Sequence, residues 1–467
     1  MPRRNLAWLL GITAVALFGL AVASSAPVRD RDRDYEHVKL LIDVLHEVRH
    51  KYVQDIDPER ERQLVEDMIN GGLERLDPHS AYINAKEYKQ FSRQSKGRFG
   101  GVGIQIGYDR QNRGQLMVIS PMVGTPAYEA GILAGDLIIK IDGKSTENMR
   151  LNEAVELIQG EPGQKVTLTV VHESAKEPVD IVITRAEIRV PSVLGDLRKP
   201  DNPNEWDFLI DKENKIAYIR LVNFSEASPE ELRQAVEQVQ REGARGLILD
   251  LRNNPGGLLS AAEKIADLFL TEGVIVSIRG RNEREKVYEA RPEGTLLVPS
   301  EKYPMAVLIN RYSASASEIV AAALQDHKRA VVVGERSYGK GSVQNIIQME
   351  NGASALKLTT ASYWRPSGKN IHRFPESKET DEWGVKPSPG FEVEMKDEER
   401  LEYLIYRSER DVVPGKPGTP RPQRLRPERD KEKKPFEDRV LQKALEYLRG
   451  EIKRLGAAAP SLEAAFS

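Results

Sequence analysis

Four short apolar runs, at 216–221, 246–251, 305–309 and 330–333, constrain this chain more than any other feature. Each is too short for a helix and apolar almost throughout, which reads as a buried strand. Helical patterns occupy 229–241, 258–270 and 318–327 beside them. Strands alternating with helices predict a layered α/β core. At 467 residues the chain has room for about three domains, so other modules are expected around that core. With 40% apolar and 30% charged residues, a wholly disordered chain and a polytopic membrane protein are excluded.

Those modules are visible in outline. Arg3 and Arg4 precede an apolar run at 6–22 and the small residues Ala23, Ser24, Ser25 and Ala26. This is the pattern of a secretory signal, and 1–26 is assigned to a signal peptide or membrane anchor. Apolar spacings of three and four at Val38, Leu41, Leu45, Val48 and Tyr52 mark an amphipathic helix, and a second helix is expected over 59–76, stopping at Asp77-Pro78. Together these make an N-terminal helical segment, 27–96. A β-rich, glycine-punctuated stretch fills 97–188, and the α/β core covers 189–400. Six prolines and eight Lys or Arg between Asp411 and Phe436 read as a solvated linker, 401–436. A last helix, with its apolar stripe of Val440, Leu441, Leu445 and Leu448, lies in 437–467. The two terminal helical arms present apolar stripes that want partners, and homodimerisation is expected of them.

Some chemistries are excluded early. There is no cysteine, which removes disulfides, thiolate metal sites and a cysteine nucleophile. A net charge of −2 gives no nucleic-acid footprint. His46-Glu47-Val48-Arg49-His50 matches H-E-x-x-H, but it sits on the first helix, ahead of any domain that could enclose a dry site, and lacks a third ligand. A solvated helix face is the better reading, and no metal or cofactor is called for.

Two stretches carry chemistry. Residues 99–107 form a glycine turn running into an alternating strand, where backbone N–H groups can converge on an anion. Residues 310–319 place Ser313, Ser315 and Ser317 at a strand-to-helix turn, near the positive end of the helix. That suits a nucleophile whose attack creates an oxyanion. It suits a plain helix cap as well, since Ser315 and Glu318 fit S-x-x-E. Further on, Lys340 stands between Gly339 and Gly341. A P-loop is rejected there, because Gly341 occupies the hydroxyl position and a strand pattern follows.

The first stretch resembles a PDZ domain. Gly101, Val102, Gly103 and Ile104 stand where that family's carboxylate-binding loop lies, and Ala130-Gly131-Ile132 with Gly135-Asp136 matches its middle segment. The second is similar to the carboxyl-terminal processing (tail-specific) proteases. That resemblance spans most of 36–395 and rests on 76–82 (LDPHSAY), 250–257 (DLRNNPGG), 313–318 (SASASE), 339–344 (GKGSVQ) and 384–387 (GVKP), in the family's order. It implies a layered α/β serine-peptidase core with an inserted PDZ domain, N-terminal helices and a C-terminal helix. It also implies Ser315 as nucleophile, Lys340 as general base and Gln344 as the residue orienting the amine. The oxyanion hole would come from the Ala316 amide and one of Gly256 and Gly257, with the choice between them open. Asp326 matches an acidic position, with a charged helix end as the plainer alternative.

Lys340 must lose its proton to act. A free lysine titrates near about 10.4, and burial would have to bring it toward roughly 7–8. Val343, Ile346 and the helix at 319–324 are the expected apolar neighbours. The expected function is an exported endopeptidase, periplasmic or secreted, that takes protein or peptide tails with free C-termini. The alternative is a catalytically silent PDZ scaffold that binds such ends. Another acyl transfer is disfavoured by the PDZ module, and a chymotrypsin-like site by the absence of a His–Asp pair.

Overall fold

The computed structural model of the chain is described for residues 30–95, 97–109, 114–173, 175, 177–202, 204–281, 284–420, 422–425 and 436–458. The basic and apolar run read as an export signal lies outside these residues. Among the described residues, no helix is long and apolar enough to cross a membrane. The chain divides into two compact units, one ending at Tyr82 and the other beginning at Ile83.

The first unit carries α1 (Asp30–Lys51) and α2 (Pro58–Glu74). Asp57 caps α2 by accepting the Arg60 amide at 2.8 Å, and Pro58 opens it where no N–H is needed. Asp77 then accepts the His79 and Ser80 amides at 2.7 and 2.9 Å, an Asx turn that ends the helical run as expected. The stripe on α1 is largely exposed, Val38 and Leu41 being 53% and 51% accessible.

The second unit opens with α3 (Ala85–Ser95) and then a small antiparallel module. Its neck is the pair β1 (Arg98–Gly101) and β7 (Ala186–Arg189), with Phe99 opposite Ile188. An insertion whose ends pair side by side can be carried by a core without interrupting it. Between them, β2 (Ile104–Tyr108), β3 (Leu116–Pro121), β4 (Leu137–Ile141), β5 (Lys165–Val171) and β6 (Val179–Thr184) form one sheet in that order. Helix α4 (Leu151–Ile158) packs beside β2, its Ala154 and Ile158 joining Val102, Leu116, Ile138 and Leu168 in a separate core.

The larger core holds β8 (Ile216–Leu221), β9 (Gly246–Asp250), β11 (Met305–Ile309) and β12 (Val331–Gly334) as parallel neighbours. All four expected strands form within a residue of their predicted bounds. One face, through Ala217, Ile219, Leu249, Val307 and Val332, packs on α5 (Ser228–Arg241), α6 (Leu259–Asp267) and α7 (Ala316–Asp326). A second antiparallel sheet adds β10 (Val274–Gly280), β13 (Ser342–Met349) and β14 (Ser354–Trp364). After it come α8 (Asp397–Asp411) and α9 (Arg439–Ala458).

Two sequence expectations need correction. The stripe of α9 does not wait for a second copy: Val440, Leu441, Leu445, Leu448 and Ile452 are buried against Ile216, Tyr218, Ile248, Ala306 and Leu308, the other face of the parallel sheet. The helix is the missing third layer. Buried Arg252 seals it, pairing with both Asp250 and Asp438 at 2.7 and 2.8 Å. Leu448→Ala is therefore expected to lower stability by about 2–5 kcal/mol in urea titration, whereas a free arm would leave it unchanged.

Nor is the basic, proline-rich stretch simply solvated where it is described. Residues 401–411 belong to α8, whose Arg407 and Arg410 both pair with Asp196. Beyond it the chain lies on the small antiparallel module. Val413 N donates to Ser120 Oγ at 2.9 Å, Ala134 N donates to Pro414 O at 2.9 Å, and Gln423 N donates to Glu173 at 2.7 Å. Composition marks such a segment as unable to build a core, but not as unable to lie on one.

Candidate active site

Strands β9, β11 and β12 are parallel, so the segments leaving their C-terminal ends converge at one edge of the sheet. Reciprocal bonds lock the first two segments together. Asn253 N donates to Asn310 Oδ1 at 3.0 Å, and Asn310 Nδ2 donates to Asn253 Oδ1 at 2.9 Å. The Asn254 carbonyl accepts both Ala314 N at 3.0 Å and Ser317 Oγ at 2.9 Å.

This locking separates the three serines. Ser313 is fully buried and donates to Leu251 O at 2.8 Å, and Ser317 is fully buried on Asn254. Ser315 is only half-buried and sits at φ 56°, ψ −113°, a left-handed conformation that costs a non-glycine residue about 1–3 kcal/mol. The turn sends the chain straight into α7, whose first amide, Ala316 N, donates to no protein group among the described residues.

The 251–258 turn lies against the same point. A Cβ on Gly256 would stand 2.7 Å from Ala314 O, 2.9 Å from Ala316 N and 2.9 Å from Ser315 Cβ. The two glycines differ in their amides. Gly256 N donates to Asn254 Oδ1 at 2.9 Å, whereas no bond from Gly257 N is found among the described residues. Of the pair left open by the sequence, Gly257 has the available donor.

Lys340, half-buried, arrives on the loop after β12. Its flanking glycines are required by close approach: a Cβ on Gly341 would lie 2.2 Å from His372 N, and one on Gly339 would lie 2.7 Å from Arg373 Cβ. Trp383, held between the guanidinium groups of Arg336 and Arg373 at 3.3 and 4.3 Å, backs the loop. Burial pushes the lysine below its ordinary value, the nearby charge of Lys357 pushes the same way, and Glu318 opposes them. Val343 and the helix at 319–324 are buried as expected, but Ile346 is 36% exposed and does not supply the burial.

The glycine turn of the small module forms one wall of a groove of about 430 Å³, lined by Gly101, Val102, Gly103, Ile104, Val155 and Ile158 among others. Val102 and Gly103 carbonyls accept the Ala127 and Met122 amides at 2.9 Å each, while their own amides donate to no protein group among the described residues. The open groove thus ends in unused N–H groups, with β2 along one side and α4 along the other.

Comparison with known proteins agrees with this layout. Residues 215–387 match the model for peptidase family S41, and 117–172 match the PDZ domain. The carboxy-terminal-processing protease of Bartonella bacilliformis is 37% identical over 462 residues, covering 97% of both chains. The carboxy-terminal processing protease CtpA of Bacillus subtilis is 34% identical over 360 residues, covering 77% of this chain and 69% of that one. The chain belongs to the carboxy-terminal processing proteases of peptidase family S41. Among solved structures it is similar to a photosystem II D1 C-terminal processing protease, 27% identical with a TM-score of 0.41, over 75% of this chain and 86% of that one.

Not every residue expected in this S41 site meets the others. Gln344 donates from its amide nitrogen to Ser342 Oγ and Thr359 Oγ1 at 2.9 and 3.1 Å, and no hydrogen bond joins it to Lys340 among the described residues. Asp326 pairs with Arg365 at 2.6 Å and accepts the Ser367 amide at 3.0 Å, which ties the end of α7 to the loop after β14. The histidines of the H-E-x-x-H pentad are exposed, with His50 Nδ1 2.8 Å from the His46 carbonyl oxygen and Glu47 paired with Lys51.

Glu318 is the residue that sequence reasoning passed over. The S-x-x-E spacing marks it only as the partner in a capping box, and it does accept the Ser315 amide at 2.8 Å. It also accepts Gly339 N at 2.7 Å, Lys340 N at 2.8 Å and Ser337 Oγ at 2.5 Å, with no solvent exposure. A signal was present: from Ala316 to Leu324 α7 is otherwise uncharged and buried on every side, so its one acid had to be answered from inside the protein.

Proposed function

We propose that this S41 peptidase is exported and cleaves protein tails with a Ser315–Lys340 dyad, after its PDZ groove has taken the substrate's free C-terminus. The observation that carries the reading is that one carboxylate oxygen accepts the backbone amides of both a strained, half-buried serine and a half-buried lysine whose ammonium form is disfavoured, which holds their two loops together. Lys340 takes the Ser315 proton, the serine oxygen attacks the carbonyl carbon, and the amides of Ala316 and Gly257 receive the oxyanion. The ammonium then returns the proton to the leaving amine, and water completes hydrolysis of the acyl-enzyme. Gln344 is available to orient the lysine once its present partners let go.

At the groove, the amides of Val102 and Gly103 meet the terminal carboxylate, and the peptide adds a strand along β2. A peptide with an apolar C-terminal residue should therefore be cleaved in the free-acid form with a KM lower by about tenfold or more than its C-terminal amide. Mass spectrometry of the fragments and initial rates read this directly, and equal KM values for acid and amide would remove the capture step. For the Leu6–Val22 signal, N-terminal sequencing of the protein recovered outside the cytoplasm is the corresponding test.

A further inference from the structure

We propose that Glu318 is the positioning residue of the site: its ionised carboxylate locks the turn of Ser315 to the loop of Lys340, and protonation releases them. The proposal rests on the dyad reading above. Both carboxylate oxygens are saturated. Oε1 accepts Ser337 Oγ and Gly339 N, and Oε2 accepts Ser315 N and Lys340 N, at 2.5–2.8 Å. One carboxylate thus takes the backbone amides of both the serine and the lysine on a single atom. A protonated carboxyl is itself a donor on one oxygen, so it must evict or reverse one of the four.

Among the described residues, no further group bonds to Glu318 to compensate. From the lysine loop the facing charge is Lys340, which Glu318 favours as the ammonium. From the segment after Trp383 comes Gly384, where a Cβ would lie 3.4 Å from Oε1, and from α7 itself the neighbours are alanine, serine and isoleucine. Ser337 is anchored on its far side by the Val385 amide at 2.7 Å. Burial raises Glu318 to about 7 in spite of the four bonds, so the switch falls near neutral pH.

The test is the pH dependence of kcat on a short quenched-fluorescence peptide with an apolar free C-terminus, using the full chain from Pro27 onward. Wild type should lose rate with falling pH as one ionisation, that of Lys340, and then as two below about pH 7. Glu318→Gln should turn over about 100-fold more slowly with KM within about twofold, and its acid limb should stay at one ionisation throughout. Ser337→Ala removes a donor to the charged form, so the break should move to higher pH by about one unit. A Glu318→Gln limb that still steepens, or a break unmoved in Ser337→Ala, overturns the proposal and leaves Glu318 a structural acid. Failure of the dyad itself is distinguished separately, because it appears as activity surviving in Ser315→Ala.

Discussion

Ser315→Ala and Lys340→Met should each reduce kcat/KM on that peptide by roughly 10³–10⁴-fold, and the double variant should be no slower than either alone. The serine and the lysine act in one proton transfer, so removing the second member of a broken pair costs nothing more. Methionine preserves the length and burial of the lysine stem, which separates loss of the base from loss of packing. The sign of the pH effect follows from the environment. Burial and the Lys357 charge disfavour the ammonium, so the neutral amine becomes populated at lower pH than in a free lysine, and activity rises with pH through that titration. In Lys340→Met the residual rate should no longer show the lysine's ionisation, only that of Glu318. Additive losses in the double variant, or a Lys340→Met limb that still carries both ionisations, would remove the lysine from the mechanism.

The strands were legible because burial on both faces leaves an unmistakable apolar run: 305–309 is MAVLI, and all five residues are buried. The serine turn was legible as a strand-to-helix junction, though only bonding to Leu251 and Asn254 distinguishes Ser315 from its neighbours. What sequence could not supply was the identity of the partner across space. The stripe on α9 was correctly amphipathic, but nothing local says that it covers Ile216, Ile248 and Leu308 more than two hundred to a hundred residues earlier. Glu318 illustrates the same limit. A capping glutamate and a four-bond bridge look identical along the chain, and they differ only in whether Gly339 and Lys340 arrive beside them.

Gly256→Ala should be the most damaging single methyl group in the molecule for catalysis, lowering kcat by about 10²–10³-fold with peptide capture by the PDZ groove unchanged. The backbone at Gly256 has φ 97°, a region where an L side chain is strained whatever room it finds. Here it finds none, since the added carbon would lie within 2.9 Å of Ala316 N and Ser315 Cβ. Relief would require the 251–258 turn to retreat from the serine, and with it the Gly257 amide, which has no protein partner among the described residues. Gly257→Ala would conflict instead with the Phe224 carbonyl, at 2.1 Å. Both variants should lower the unfolding midpoint, Gly256→Ala through its strained backbone and Gly257→Ala through a clash that breaks the bridge to Phe224, but Gly256→Ala should still bind the tail peptide and fail to acylate. Normal acylation by Gly256→Ala, followed by active-site titration, would mean that the oxyanion is held elsewhere and that this turn only frames the serine.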